Sequence, residues 1–349
     1  MTTTNTSERG RRAFQRHTIG VSLITFLTVA ALAEGARGQF CSDSARTLYA
    51  ACKAGVVDDA LVGKAICINV SDAAERAACL DALGDQREEA TQLCRDQRDT
   101  RFAACAQLGE SRYDPDFSPG LFDDPTNPTK PNPYFPLAIG DRWQYSAGSE
   151  LNTVEIVNET KLIAGVRCLV ARDLVFRNGD LAEATDDWYV PAKSGAVWYF
   201  GEEVKDFESF DGDVPRRPEL VSIDGSFKAG RDGDKPGIIF LASPKPGDVY
   251  VEESSLANAE DVTEILSTTY AFGDDPMLDD LVPQALARLL CNGDCVVTKN
   301  FSLLEPGIFA RKYYAPGIGV FLEVEPDGPV VSQLVGCNVD PRCASLPTP

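Results

Sequence analysis

Two Asp-Gly-Asp triplets carry the most legible chemistry in this chain. Asp211-Gly212-Asp213 lies in "FDGD" and Asp232-Gly233-Asp234 in "RDGDKPG". Alternating carboxylates around a glycine turn suit calcium, a hard cation that takes oxygen ligands. Neither stretch completes the loop of an EF-hand, and Asx turns account for both equally well. Calcium, on Asp211, Asp213, Asp232 and Asp234, is the one cofactor the sequence offers; otherwise none is expected. Paired carboxylates also hydrolyse glycosides. With 53 Asp and Glu residues, some such pair arises from composition alone. A carboxylate-dependent hydrolase therefore stands behind a non-enzymatic reading.

The aromatic residues offer a second chemistry. Trp143, Trp188, Trp198, Tyr199 and Tyr313 lie in short β-like runs, several next to another aromatic, Tyr189, Phe200 or Tyr314. Adjacent side chains in a strand face opposite ways. One of each pair would fill the core, and the other could line a concave sheet and hold a small apolar or sugar ligand. A core on both faces of the sheet is the competing use.

Much familiar chemistry is excluded. The only histidine, His17, precedes the apolar run "TIGVSLITFLTVAALA" and follows Arg9, Arg11, Arg12 and Arg16. A basic stretch before a short apolar run is the pattern of a secretory signal, and the run is shorter than the roughly 20 residues of a membrane span. Residues 1–38 read as a signal peptide, cleaved before Glu34 or Gln39. "RRAFQR" also resembles the twin-arginine motif, so the route is Sec or twin-arginine export to the periplasm or the medium. "GQFC" before Cys41 lacks the small residue of a lipoprotein anchor. A mature chain without His17 has no histidine-based triad, imidazole base or histidine-ligated metal. Met277 is its only methionine. No phosphate-binding loop, dinucleotide fingerprint or zincin motif is present. Loss of residues 1–38 removes five arginines and two glutamates, moving the net charge from −20 to −23. Nucleic acid and anionic lipid are poor partners for such a surface, and no membrane span remains.

Eleven cysteines in an exported chain read as disulfides. Cys41, Cys52, Cys67, Cys79, Cys94 and Cys105 are separated by 11, 15, 12, 15 and 11 residues. The series is a palindrome in an Ala-rich, charged segment with helical character. It breaks at "NVSDAAE", where Ser71 or Asp72 is the N-cap. An antiparallel helical hairpin over 39–110 with nested rungs follows: Cys67–Cys79, Cys52–Cys94 and Cys41–Cys105. Three repeats of about 26 residues, as a three-helix bundle, or metal ligation are the other arrangements. Of the rest, Cys168 lies in the apolar run "VRCLV" and reads as a buried free thiol. Cys291–Cys295 and Cys337–Cys343 read as local pairs, with a staple between tail and insert, or a metal site, as alternatives.

These residues must be positioned by the elements around them. Residues 111–136 carry seven prolines and form a linker or extended strap. Residues 137–336 hold ten or more short β-branched and aromatic runs separated by turns. Asn178-Gly179 marks a hairpin. A helical insert over 274–294 interrupts the strands, and 337–349 is a Cys-containing tail. The fold class is α+β: a disulfide-linked helical hairpin, then a curved antiparallel sheet or open barrel with a short inserted helix.

The segments "NPYFPLAIGDRWQY", "DDWYVPAKSGAVWYFGEEVKDFE", "GSFKAGRDGDKPGII", "KPGDVYVEE" and "FSLLEPGIFARKYYAPGIGVFLEVE" occur in that order. Over about 135–335 the chain resembles a widespread set of bacterial exported proteins without established function. The resemblance implies an exported protein and supplies no catalytic residues. The hairpin and the helical insert lie outside the common pattern.

The expected function is an exported, non-enzymatic module that binds a small ligand or a partner such as an envelope protein. A structural envelope component is a further alternative. N-terminal sequencing of the exported protein should find Glu34 or Gln39 first; recovery of His17 in the mature chain would restore the excluded chemistry.

Overall fold

The computed structural model describes residues 38–326 and 330–349. The signal segment, apart from Gly38, lies outside the described residues. Two long helices come first, α1 (Phe40–Ile68) and α2 (Ala73–Leu108). Asp72 caps α2, its carboxylate accepting from the Ala74 and Glu75 amides at 2.8 and 2.9 Å. This satisfies donors that a helix start leaves without partners. Cys67–Cys79, Cys52–Cys94 and Cys41–Cys105 join the helices from tip to base, with Cα separations of 5.6, 5.8 and 5.7 Å. Equal residue counts on antiparallel arms cover equal rise, so the rungs stay level. Along the two helices only Ser42, Ala45, Cys67, Cys94, Arg101, Ala104 and Cys105 are buried, and near the tip Val57, Leu61, Ile66 and Ile68 are exposed. Covalent rungs stand in for the core that two helices alone are too small to build. No helix among the described residues is long and apolar enough to cross a membrane.

One antiparallel sheet of 15 strands makes up the rest. The first five strands are β1 (Arg142–Ala147), β2 (Glu150–Ile163), β3 (Val166–Arg177), β4 (Asp180–Pro191) and β5 (Val197–Glu203). Short strands follow: β6 (Asp206–Glu208), β7 (Glu219–Ser222), β8 (Phe227–Lys228), β9 (Gly237–Phe240) and β10 (Val249–Val251). The last are β11 (Asp261–Tyr270), β12 (Cys295–Ser302), β13 (Ala310–Ala315), β14 (Gly319–Glu325) and β15 (Val330–Cys337). β15 pairs with β1, so the C-terminal meander β10 to β15 continues directly into the meander β1 to β5. Asn178 and Gly179 both have positive φ, 52° and 89°. That is the backbone a two-residue type I′ turn demands and Asn-Gly supplies.

The sheet curls until its ends meet, but it is not closed by a ladder. β9 pairs with β5, β10 pairs with β11, and a single bridge, Lys235 to Ser254, joins the two ends. A Cβ on Gly237 would sit 2.0 Å from the Glu252 carbonyl oxygen, so only glycine lets the two edges approach this closely.

The insert between β11 and β12 forms α3 (Pro276–Asp279) and α4 (Gln284–Leu290). Leu286, Ala287 and Leu290 are buried against Trp143, Tyr313 and Phe321. Tyr270 and Tyr313 donate to Asp279 Oδ1 and the Leu278 carbonyl at 2.9 and 2.6 Å, and the Arg311 guanidinium donates to the Met277 and Asp280 carbonyls. The insert thus plugs one side of the sheet. The proline-rich segment lies on the sheet as a strap. Phe122 is buried between Trp198 and Phe200, Tyr134 stacks on Phe240, and Phe135 meets Tyr189 edge-on.

The hairpin base rests on the β10–β11 loop. Arg101 forms a bidentate pair with Glu260, at 2.9 and 2.8 Å, and both side chains are 5% exposed. Gln97 donates to the Leu304 carbonyl at 2.8 Å. Breaking a buried pair on one side leaves an uncompensated charge. Glu260→Gln should therefore cost about 3–5 kcal/mol in chemical denaturation, and the double change Arg101→Met with Glu260→Leu should recover most of it.

Candidate functional site

The long hairpins β2–β3 and β3–β4 bring two carboxyls, an amide and Tyr189 to the inner face of the sheet, beside Trp143 and Tyr145 of β1. The pairing Trp143–Val154, Tyr145–Asn152, Val154–Asp173 and Ala171–Asp187 carries one face across β1 to β4. On the far side β13 and β14 contribute Lys312 and Glu323, opposite one another in register. These side chains line a half-open cavity of about 240 Å³ that Phe135, Tyr189 and Tyr314 also border. The Trp143 indole donates to the Ile318 carbonyl at 2.7 Å and the Tyr145 hydroxyl to the Val320 carbonyl at 3.0 Å. Their polar ends are thus occupied by the β13–β14 turn, and their rings form wall.

The polar groups are unevenly matched. Asn152 Nδ2 donates to Asp173 Oδ2 at 3.2 Å, while Asn152 Oδ1 and Asp173 Oδ1 are buried without a partner. Orphaned buried acceptors are uncommon because each forfeits its hydration. Tyr199 donates to Asp187 Oδ1 at 2.6 Å. Burial, reinforced by the Asp187 charge, pushes the Asp173 carboxyl up to about 7. Burial also pushes Asp187 up to about 7, against the Tyr199 hydrogen bond and with the help of Glu183. Glu202, opposite Asp187 in the β4–β5 register, is pushed up to about 8 by burial and by the Asp187 charge. Burial works to lower the Lys312 ammonium, but the carboxylates of Glu323 and Glu252 outweigh it and hold it well above the ordinary lysine range.

Of the aromatics singled out in the sequence, Trp143, Tyr189 and Tyr314 line this cavity. Trp188 and Trp198 face the other side of the sheet, where they pack with Phe122 and Phe200 under the strap. Lys161 lies 3.7 Å from the Trp188 ring centroid, and Trp188 borders a separate outer hollow of about 510 Å³ with Lys228 and Asn258. Tyr199 and Tyr313 are core residues, their hydroxyls committed to Asp187 and the Leu278 carbonyl. Strand alternation divides the aromatic pairs, so that Tyr189 and Tyr314 face the cavity and Trp188 and Trp198 do not.

The four aspartates read as calcium ligands are divided between two loops. Asp211 and Asp213 lie between β6 and β7, and Asp232 and Asp234 between β8 and β9. Among the described residues, no group of three or more His, Cys, Asp or Glu is placed to hold a metal ion. Asp211 is fully exposed beside Arg216, and Asp232 pairs with Arg231 at 3.0 Å. Gly212 and Gly233 have φ of 96° and 99°, so both triplets are tight turns. Cys291–Cys295 and Cys337–Cys343 are local disulfides, each with Cα atoms 5.3 Å apart, and Cys168 is a buried thiol.

Sequence reasoning passed over Asp173 and Asp187. The signal for Asp173 is a lone carboxyl in the apolar run "LVARDLVF". For Asp187 it is half of a dipeptide. Asp186 faces outward and pairs with Arg172 at 2.9 and 3.2 Å, while Asp187 faces inward. Comparison with protein-family models, curated proteins and solved structures finds no match for this chain.

An unfolded Asp loses its proton near pH 3.9, whereas folded Asp173 and Asp187 keep theirs to about 7. In that interval the folded state binds more protons, so the pair's contribution is complete below the unfolded pKa and is lost as pH rises to about 7 and beyond. Melting temperature should fall between pH 5 and pH 8. Asp173→Asn should flatten that fall by roughly 2–6 °C, measured by calorimetry at each pH.

Proposed function

We propose that this is an exported, non-enzymatic binding module whose ligand occupies the cavity inside the curled sheet. One observation carries the reading: a cavity of about 240 Å³, walled mostly by aromatic and aliphatic side chains, into which a few polar groups converge. Small-molecule sites have this make-up, a largely apolar enclosure with few placed polar groups. The volume exceeds the roughly 150 Å³ cavity that admits benzene. Several features support the exported setting. They are the five disulfides, the basic and apolar leader, and the acidic composition. The leader fits Sec or twin-arginine export to the periplasm or the medium. The hairpin, which stands on the β domain at Arg101 and exposes apolar side chains near its tip, suits an appendage for an envelope partner.

Native mass spectrometry of protein exported by its own host tests the reading. The wild type should carry a non-covalent small molecule. Ala171→Leu, which fills the cavity from a position 1% exposed, should lose it while keeping a cooperative melt. A bare mass for the wild type together with a stoichiometric protein partner would replace this reading with the structural one. Turnover abolished by Asp187→Asn would replace it with a hydrolase.

A further inference from the structure

We propose that the cavity takes an organic cation, an ammonium group carrying a small apolar or aromatic body; this rests on the cavity being a ligand site. Three features of the lining, each independent of the others, point the same way. The first is hydrogen-bonding sense. The lining atoms left buried and unpartnered are Asn152 Oδ1 and Asp173 Oδ1, both acceptors once Asp173 is ionised, above about pH 7. A ligand that satisfies them must bring donors, and an ammonium group brings up to three with no acceptor to clash.

The second feature is charge. Three carboxyls, of Asp173, Asp187 and Glu323, line the cavity with one cation, Lys312. Lys312 lies opposite Glu323 in the β13–β14 register, and Glu252 also acts on it. The lysine is therefore answered from its own side, and Asp173 and Asp187 are left with an amide and a phenol as partners. A carboxylate or phosphate ligand would meet this excess of like charge in a poorly solvated site, whereas a cation would offset it.

The third feature is the wall. The aromatic side chains of Phe135, Trp143, Tyr145, Tyr189 and Tyr314 border the same cavity as the two carboxyls. With the Trp143 and Tyr145 polar ends held by backbone carbonyls, carbon surface is what they offer. Aromatic walls attract a cation through the ring quadrupole and hold the apolar substituent by area. Either effect alone would suit many ligands. Together with unmatched acceptors they select a molecule positive at one end and apolar at the other.

Calorimetric titration of the oxidised mature chain at pH 8 tests this with benzylammonium, benzyl alcohol and benzoate, which share one ring and differ in charge. Benzylammonium should bind at least about 10-fold tighter than benzyl alcohol, and benzoate should not bind. Asp173→Asn should weaken benzylammonium by about 10- to 100-fold, the range of a lost hydrogen bond to a charged group, and leave benzyl alcohol little changed. Equal or tighter binding of benzyl alcohol, or no effect of Asp173→Asn, would overturn the cation inference and leave the cavity reading standing. If none of the three binds, and Ala171→Leu also changes nothing in the mass of host-exported protein, the cavity reading falls as well.

Discussion

The structure depends on how the two ends of one long antiparallel sheet are brought together without being paired. A curled sheet with a full ladder at its seam would be a barrel, with strand tilt and stagger fixed by closure. Here the ends touch at the Lys235–Ser254 bridge, and at Gly237 the Glu252 carbonyl stands where a side chain would begin. That contact holds the curl tight enough to make an inside. It leaves the inside too wide for the strands' own side chains to fill. The insert α3–α4 plugs part of it and the strap closes over another part through Tyr134 and Phe135. The remainder is the cavity. Edge strands that might otherwise recruit another chain lie against each other, a common way of disposing of exposed edges.

The distribution of charge follows from the same inside and outside. On the outer face acidic residues find partners: Asp186 with Arg172, Asp180 with Arg216, Glu203 with Lys205. On the inner face burial raises the cost of every charge, and the carboxyls of β3, β4 and β5 outnumber the cations near them. Glu252 is the exception, since Thr263 and Asn300 donate to it and Lys312 lies close. An acidic protein can place most of its charge in water at little cost. Asp173, Asp187 and Glu202 are residues for which that explanation fails, and of these Asp173 and Asp187 line the cavity.

Much of the fold was legible because its signals are local or repetitive. The cysteine palindrome encodes two arms of equal length, and only a hairpin gives equal lengths a reason to exist. Asn178-Gly179 specifies its turn through the backbone φ it tolerates. Short alternating runs specify strands, and adjacent aromatics specify that both faces are covered. The site was legible only in part, because it depends on pairing and not on local sequence. Which of Trp188 and Tyr189 faces in is settled by register against β3 and β5. The Asp-Gly-Asp triplets looked like a site because their spelling is conspicuous, but a turn needs the same glycine and the same hydrogen-bonding carboxylate. The seam was hidden altogether, since nothing in "KPGII" says that another strand's carbonyl lies against the glycine.

The connectivity of the cysteines also sets an order of assembly. Cys67 and Cys79 lie 12 residues apart across the helical turn, the shortest closure in the hairpin. Once that bond forms and the arms are helical, Cys52 faces Cys94 and Cys41 faces Cys105. Neighbouring cysteines on one arm, 11 or 15 residues apart, are kept about 16 Å or more from each other by helix rise. Each oxidation shortens the free loop that the next one must close, so the entropic cost stays low at every step. The bonds Cys291–Cys295 and Cys337–Cys343 close loops shorter still. No disulfide crosses from hairpin to sheet, so neither waits on the other to be oxidised. Cys168, the odd thiol, leaves the exchangeable pool when its strand is buried, where burial raises its pKa far above the thiolate range. Under oxidising conditions the helical arms thus present the observed pairs to each other, and the sulfur of Cys168, which could scramble them, is withdrawn by folding itself.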